Sequence, residues 1–241
     1  MDPERGFLFK KQFEWYRGWI ITRLKVSLLW GDFFIAPTEV FMKNCKIYQN
    51  FIDVTEDDKG TPLNISFKNT DKFNFAFDVV DALARRSPKK LAMLHISRDK
   101  TERRFTFFDM AKESARAANY FRSLGIKKGD RVLMILKRHY QFWFAMLGLN
   151  KLGAIAIPAT NQLLSHDLEY RFKAAGVSAV ICTAEGASAQ EVEKAAEGFA
   201  GLKHKIIVNG ERAGWRNFDK EFAGFSDRFP RTADSPCGND L

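Results

Sequence analysis

The stretch VLMILKRHYQFWFAMLGLNKLGAIAIP, residues 132–158, contains the pattern that decides the fold. Val132–Leu136 is a continuous apolar run, which is typical of a strand buried on both faces of a parallel sheet. Tyr140–Leu152 is apolar nearly all round, as a buried helix is. Gly153 ends that helix, and Ala154–Ile157 is a second short apolar run. A strand, a helix and a strand at this spacing predict a parallel βαβ unit.

The same alternation of strands and helices continues on both sides of this unit. Further elements are predicted as a helix over 77–86, strands over 91–97 and 104–108, a helix to Leu124, a helix to Ala175, a strand over 177–183, a helix over 188–199, a strand over 205–208 and a helix over 215–225. Asp109 and Ser165 are the predicted N-caps of the helices that end at Leu124 and Ala175. The series predicts a doubly wound, mostly parallel α/β sheet.

The two ends of the chain differ from this regular middle, residues 73–228. Residues 1–72 are predicted to be an N-terminal extension and lead-in, with turns around Asp57 to Pro62. Residues 1–41 are rich in Trp and Phe and keep no steady period. They are either upstream sequence translated before a true start at Met42, which we favour, or a helix that docks on a partner. Residues 229–241 are polar and are predicted to be a truncated linker.

Composition and charge narrow the functional classes. The chain has 241 residues, 46% hydrophobic and 28% charged, as a folded protein has. Its net charge is +9, and residues 83–138 hold 16 Lys and Arg against 5 Asp and Glu. Such a segment can bind nucleic acid, an anionic membrane or a polyanionic cofactor, or it can be a solvated face. It has no nucleic-acid recognition motif, and residues 15–37 carry too many charges to span a membrane. We therefore predict neither a nucleic-acid nor a membrane partner.

Metal, disulfide and common catalytic motifs are missing from the sequence. The cysteines, Cys45, Cys182 and Cys237, are far apart, which excludes a disulfide framework and favours a reduced, cytoplasmic location. The histidines show no metal-ligand spacing and are predicted to be surface or capping residues: His95, His139, His166 and His204. No GxGxxG, Walker A or GxSxG sequence is present. The residues alone therefore predict a nucleotide-type α/β domain without a recognisable site.

Several segments together resemble one enzyme family. They are FNFAFDVVD (73–81), LGIKKGDRV (124–132), YQFW (140–143) and LGAIAIPAT (152–160). Their order and spacing are similar to those of AMP-forming acyl-CoA synthetases, in the acetyl- and medium-chain branch of the adenylate-forming enzymes. The resemblance covers about residues 72–241. It implies an N-terminal fragment that holds the incomplete first part of the family's large domain.

The resemblance also implies a chemistry. Members of this family activate a short- or medium-chain carboxylate with ATP and Mg²⁺ to an acyl-adenylate, and the CoA thiol then displaces AMP. Their Ser/Thr/Gly-rich phosphate-binding loop begins shortly after a stretch similar to residues 234–241, and a C-terminal domain follows later. Neither lies within these 241 residues. We therefore expect the chain to be inactive alone, to bind no ATP or Mg²⁺ tightly, and to need the remainder of the large domain as its partner.

Gln162 is the one ligand contact that the resemblance carries over. In medium-chain relatives a Gln at the similar position touches CoA, and an amide suits this role because it can both donate and accept. The alternative is a loop Gln that bonds its own backbone. Acetate-type relatives carry arginines for the CoA phosphates after the strand at 181–186, where this chain has residues 187–190, Ala-Ser-Ala-Gln. That departure favours the medium-chain branch. The alternative function is a non-catalytic module that binds CoA or a partner chain.

Overall fold

The computed structural model describes residues 47–237, so the predictions about residues 1–41 and Met42 lie outside the described residues. The strands are β1 (Ile52–Glu56), β2 (Pro62–Phe67), β3 (Leu91–Ile96), β4 (Glu102–Thr106), β5 (Arg131–Ile135), β6 (Ile155–Pro158), β7 (Ala179–Thr183), β8 (His204–Val208) and β9 (Arg216–Asn217). The helices are α1 (Ala82–Arg86), α2 (Phe107–Ser123), α3 (Gln141–Leu152), α4 (Ser165–Ala175), α5 (Ser188–Glu197) and α6 (Phe218–Glu221). A π-helical segment, Ala76–Asp81, precedes α1, and 3₁₀ turns span Ile47–Asn50 and Phe222–Gly224.

A five-stranded parallel sheet, in the order β6-β5-β7-β8-β9, forms the centre of the fold. Val132 on β5 lies beside Ala156 on β6 and beside Ala179 on β7. Each crossover between these strands contains a helix or a long loop, as parallel pairing requires. The predicted parallel α/β sheet is therefore confirmed.

Helices cover both faces of this sheet, so that the fold is doubly wound. Because side chains alternate along a strand, Val132 and Met134 of β5 point into one core, together with residues of α2 and α3. Leu133 and Ile135 point into the other core, together with residues of α4 and α5. This two-sided burial explains why β5 reads as a continuous apolar run.

Two antiparallel hairpins lie outside the parallel sheet. The first, β1–β2, falls in the lead-in, where the sequence predicted only turns. Its turn spans residues 57–61, and Pro62 already belongs to β2. The alternation of Leu63, Ile65 and Phe67 is the strand signal that was missed there. In the second hairpin, β4 spans Glu102–Thr106, and the predicted strand at 104–108 was wrong at its end because Phe107 begins α2.

The N-termini of two helices also correct the predictions. The N-cap of α2 is Thr106 and not Asp109: Asp109 N donates to Thr106 Oγ1 at 3.2 Å, and Thr106 N donates to Asp109 Oδ2 at 2.8 Å. Asp109 is thus the third helical residue of a reciprocal capping box. Ser165 is the first residue of α4 and not its cap, and its backbone N donates to Glu191 Oε2 at 2.9 Å.

The segment that leads into α1 is fixed by buried polar contacts. Asn74 is 1% exposed, and its Nδ2 donates to the carbonyl oxygens of Asn150 at 3.0 Å and Pro236 at 3.1 Å. Lys151 on α3 is buried, and its Nζ lies 2.9 Å from Asp81 Oδ1. The predicted helix over 77–86 is confirmed, because the π-helical segment Ala76–Asp81 continues directly into α1.

The predicted single helix over 215–225 was wrong. β9 comes first, Asn217 then caps α6 by accepting a hydrogen bond from Lys220 N at 3.0 Å, and a 3₁₀ turn follows. Beyond it, Pro236 packs on Gly153, whose φ is +74° and where an added Cβ would lie 2.6 Å from Pro236 Cβ. The boundary at residue 229 stays a prediction.

No helix within residues 47–237 is both long and apolar enough to cross a membrane.

Candidate functional site

A crevice of about 1010 Å³ opens at the carboxyl ends of the central strands. The chain passes from β5 to β6 on one side of the sheet and returns to β7 on the other side of β5. The strand order therefore reverses at β5. Open α/β sheets bind ligands in the crevice outside the carboxyl ends of the strands at such a point. The crevice is the candidate site on this ground.

The loop after β5 forms the floor of the crevice. Lys137 in this loop has a φ of +42°, which non-glycine residues rarely adopt and which tends to persist at functional sites. His139 Nε2 lies 2.7 Å from Thr183 Oγ1 at the end of β7. This contact joins the loop after β5 to the end of β7.

Glu185, in the loop after β7, contacts several polar groups of the crevice. Lys137 Nζ lies 3.4 Å from Glu185 Oε2, Asn209 Nδ2 donates to Oε1 at 3.3 Å, and His139 Nε2 lies 3.9 Å from Oε1. Desolvation works against the charged carboxylate, but His139, Lys137 and Asn209 together lower the pKa of Glu185. Burial also lowers the pKa of His139, so that at pH 7 the imidazole is neutral. Lys137 and Asn209 therefore stabilise the carboxylate at that pH.

A second polar cluster, around Asp219, adjoins the crevice through Gln141 and Asn209. Asp219 on α6 accepts hydrogen bonds from Gln141 Nε2 and from the backbone N of Asn209, both at 2.7 Å. Because an ionised carboxylate only accepts, the Gln141 amide nitrogen must face Asp219. Gln141 is 2% exposed, and its Oε1 has no hydrogen-bond partner in the described chain. Gln141 Oε1 is thus a buried acceptor that no donor within residues 47–237 satisfies.

The β3–β4 hairpin forms the outer wall. His95 Nε2 lies 3.1 Å from the carbonyl oxygen of Arg138, and its ring makes an edge contact with Tyr140 at 5.4 Å. The Arg103 guanidinium lies 5.6 Å from the centre of the Tyr140 ring and donates to Ser97 Oγ at 2.8 Å. These contacts hold the hairpin against the loop after β5.

Gln162 lies beside the crevice, in the loop between β6 and α4. Thr160 and Asn161 line the crevice, whereas Gln162 is exposed and its backbone N donates to Thr160 Oγ1 at 3.3 Å. Ser188 Oγ donates to the carbonyl oxygen of Asn161 at 3.2 Å, which ties this loop to the start of α5. Nothing in this geometry tests the predicted contact of Gln162 with CoA, and it stays a prediction.

Sequence reasoning missed the residues that the fold brings together here. His139 was predicted to be a surface or capping residue, yet it is a partly buried wall of the crevice. The available signal was positional: Lys137 to His139, Glu185 and Asn209 each follow the end of a predicted strand. Within residues 47–237, no three His, Cys, Asp or Glu side chains form a group that could hold a metal ion.

Comparison with known proteins places this geometry in a family. The family model described as AMP-binding enzyme matches residues 80–240. Similar curated proteins include acyl-coenzyme A synthetase ACSM5, mitochondrial, of Rattus norvegicus, which is 32% identical over 153 residues, covering 61% of this chain and 26% of that protein. Acyl-coenzyme A synthetase ACSM2A, mitochondrial, of Homo sapiens is 33% identical over 156 residues, covering 62% and 27%. Acetyl-coenzyme A synthetase of Bacillus subtilis (strain 168) is 32% identical over 143 residues, covering 59% and 24%.

Solved structures show the same fold. An anthranilate CoA ligase, AuaEII, in complex with anthranoyl-AMP superposes with a TM-score of 0.57 at 21% identity, covering 67% of this chain and 30% of that one. A benzoate CoA ligase from Burkholderia xenovorans LB400 superposes with a TM-score of 0.56 at 22% identity, covering 68% and 31%. The chain spans about a quarter of the length of the curated relatives named above. The family match covers most of this chain and includes the whole parallel sheet. The chain therefore belongs to the AMP-binding enzyme family.

Proposed function

We propose that this chain supplies the first part of the carboxylate-activating domain of an acyl-CoA synthetase. The whole enzyme would activate a short- or medium-chain carboxylate with ATP and Mg²⁺ to an acyl-adenylate and transfer the acyl group to CoA. The observation that carries the proposal is the family match over residues 80–240, on a parallel sheet with a crevice at its switch point. The names of the curated relatives, acyl- and acetyl-coenzyme A synthetases, support the reaction class.

Within this reaction we assign a contact with CoA to Gln162. The side chain is exposed beside the crevice, and its amide can donate to a carbonyl and accept from an N–H of the ligand. Residues 187–190, the N-cap and first residues of α5, are Ala-Ser-Ala-Gln and so offer no cation for the CoA phosphates. This difference supports the medium-chain branch.

We further propose that the 241-residue chain does not catalyse the reaction alone. The sequence has no Ser/Thr/Gly-rich loop that ends in Pro-Lys, which is the loop expected to hold the ATP phosphates. The partner it needs is the remainder of the large domain. We expect no ATP–pyrophosphate exchange with carboxylates from acetate to octanoate, measured with the Bacillus subtilis acetyl-coenzyme A synthetase as positive control. Exchange by the pure chain above the no-enzyme blank would contradict this expectation.

A second candidate is a non-catalytic module that binds CoA or a partner chain. The observation that favours it is the exposure of Leu63 (69%), Ile65 (50%) and Phe67 (73%) on one face of β2. An isolated hairpin is marginally stable, so such a face is expected to be covered.

Calorimetric titration of CoA tests this candidate. We expect heat from the wild-type chain that Gln162→Ala removes. The matched control is Gln190→Ala, an exposed Gln on α5. Heat that persists in Gln162→Ala would exclude Gln162 from the site.

The cytoplasmic location predicted from cysteine usage stays a proposal, because the names of the ACSM relatives state a mitochondrial location. Imaging of the tagged native protein decides between the two.

A further inference from the structure

The β1–β2 hairpin has one apolar and one polar face. Because side chains alternate along a strand, Ile65 and Phe67 of β2 share the apolar face with Val54 and Ile52, which lie opposite them on β1. Every residue of β2 is exposed, Ile65 by 50% and Phe67 by 73%. Within residues 47–237, no third strand pairs with either edge of this hairpin. An isolated pair of strands is only marginally stable, so a further strand would stabilise it.

The hydrogen-bond register shows which backbone groups face the free edge of β2. Lys68 N donates to the carbonyl oxygen of Phe51 at 2.7 Å, so these opposite residues form a hydrogen-bonded pair. Hydrogen-bonded and non-hydrogen-bonded pairs alternate along an antiparallel ladder. The N–H and C=O groups of Ile65 and Phe67 therefore point away from β1. The same two residues thus offer apolar side chains and open hydrogen-bonding groups to an incoming strand.

The free edge of β2 is compatible with a second copy of itself. The strand reads Pro-Leu-Asn-Ile-Ser-Phe and contains no charged residue, so a two-fold axis brings no charge against its own copy. Natural edge strands prevent self-pairing with charges, prolines and bulges. Here Pro62 and the irregularity in the register, which follows Thr55, lie at the turn end of the hairpin. Residues 64–67 are left without such protection.

The charges at the two ends of β2 favour antiparallel pairing of the two copies. At the turn end, Glu56–Lys59 contains three acidic residues and one lysine. At the other end, residues 68–72 contain two lysines and one aspartate. Antiparallel pairing brings the acidic end of one copy toward the basic end of the other, whereas parallel pairing would bring like charges together.

We propose that two copies of this chain associate by antiparallel pairing of β2 with β2. In the register centred on Ser66, Ile65 of each copy lies opposite Phe67 of the other, and the two hairpins form one continuous sheet with a shared apolar face. The contact is smaller than a standard protein interface, so the dimer forms reversibly as concentration rises. No residue of the crevice takes part, so the inference does not depend on the proposed function.

Sedimentation velocity of the 241-residue chain, from low to high micromolar concentration, tests the proposal. We expect a monomer at the lowest concentration and a dimer at the highest. Ile65→Lys should weaken dimerisation about tenfold or more, because the symmetry removes two Ile–Phe contacts and buries two charges at once. The matched control is Thr55→Lys, which adds the same charge to the exposed polar face of β1 and should dimerise like wild type.

Oxidative cross-linking tests the register. Ser66 lies at the two-fold axis as a non-hydrogen-bonded pair with its own copy, in which the Cα atoms are about 4.5 Å apart, a spacing that a disulfide can bridge. Ser66→Cys should therefore cross-link to its own copy faster than Thr55→Cys does. The native cysteines are common to both variants.

A wild-type chain that stays monomeric at every concentration overturns the proposal. If the Ile65→Cys thiol of that monomer is also protected from alkylation, the apolar face is covered from within the chain instead. Equal dimerisation of wild type and Ile65→Lys overturns the proposal too, as does an equal loss in Thr55→Lys. Ser66→Cys that cross-links no faster than Thr55→Cys rejects the antiparallel pairing centred on Ser66.

Discussion

Replacing Lys151 by Met is expected to destabilise the fold strongly. The Lys151 side chain is 1% exposed and that of Asp81 is 15% exposed, and their charged atoms lie 2.9 Å apart. Lys151 Nζ also donates to the Ala111 carbonyl oxygen at 3.3 Å. Desolvation lowers the pKa of Lys151 and raises the pKa of Asp81, whereas their mutual attraction opposes both shifts. Each charge is therefore tolerated in the protein interior only while the opposite charge is present beside it.

The magnitude follows from leaving one charge buried. Removing one partner of a buried ion pair costs about 3–5 kcal/mol. With a urea m value of about 2 kcal/mol/M, the midpoint of unfolding should fall by about 2 M. The double variant Lys151→Met with Asp81→Leu removes both charges and should recover most of the loss.

Urea unfolding followed by tryptophan fluorescence measures these changes. The control is Lys173→Met, an exposed lysine on α4, which should change the free energy of unfolding by less than about 0.5 kcal/mol. A loss below about 1 kcal/mol in Lys151→Met would refute the reasoning about the buried pair. So would a double variant that is no more stable than the single one.

Three further changes test local features of the fold. Thr106→Ala should cost about 1 kcal/mol because it removes the N-cap of α2, and a thermal melt that matches wild type would contradict this. Gly148→Ala should cost about 1–3 kcal/mol in urea unfolding, because an added Cβ would lie 2.8 Å from Ala117 Cβ, whereas Gly198→Ala has open space and serves as the control. Glu193, which accepts from an arginine and from a tryptophan, has its pKa lowered to about 2. Its contribution, about 1 kcal/mol for so exposed a pair, is present above about pH 4.5 and is lost as pH falls toward 2. Thermal melts of Glu193→Gln should therefore differ from wild type at pH 7 and approach it at pH 2; an equal difference at both would contradict the assignment.

The central sheet could be predicted because its inner strands, β5 and β7, are buried on both faces. Val132–Leu136 and Val177–Thr183 read as continuous apolar runs, and each overlaps the observed strand. The helix starts were harder, because Thr106 and Asp109 are both good capping residues three positions apart. Only the two reciprocal hydrogen bonds show which residue is the cap.

The crevice could not be predicted from any one segment. His139, Thr183 and Asn209 come from three loops, and they meet only because parallel strands present their carboxyl ends at one edge. The sequence shows that polar residues follow the strands. It does not show that β5 lies between β6 and β7, which is what places those loops around one opening.

The hydrogen bond between His95 and the loop after β5 makes the second hairpin a sensor of that opening. The Nδ1 atom of His95 is buried without a partner in the described residues, while Nε2 holds the Arg138 carbonyl oxygen. Any ligand that shifts the loop must also shift this imidazole, which sits on a strand outside the central sheet. Because His95 also lines the crevice, nitrogen-15 resonances of that single ring would report occupancy at the switch point.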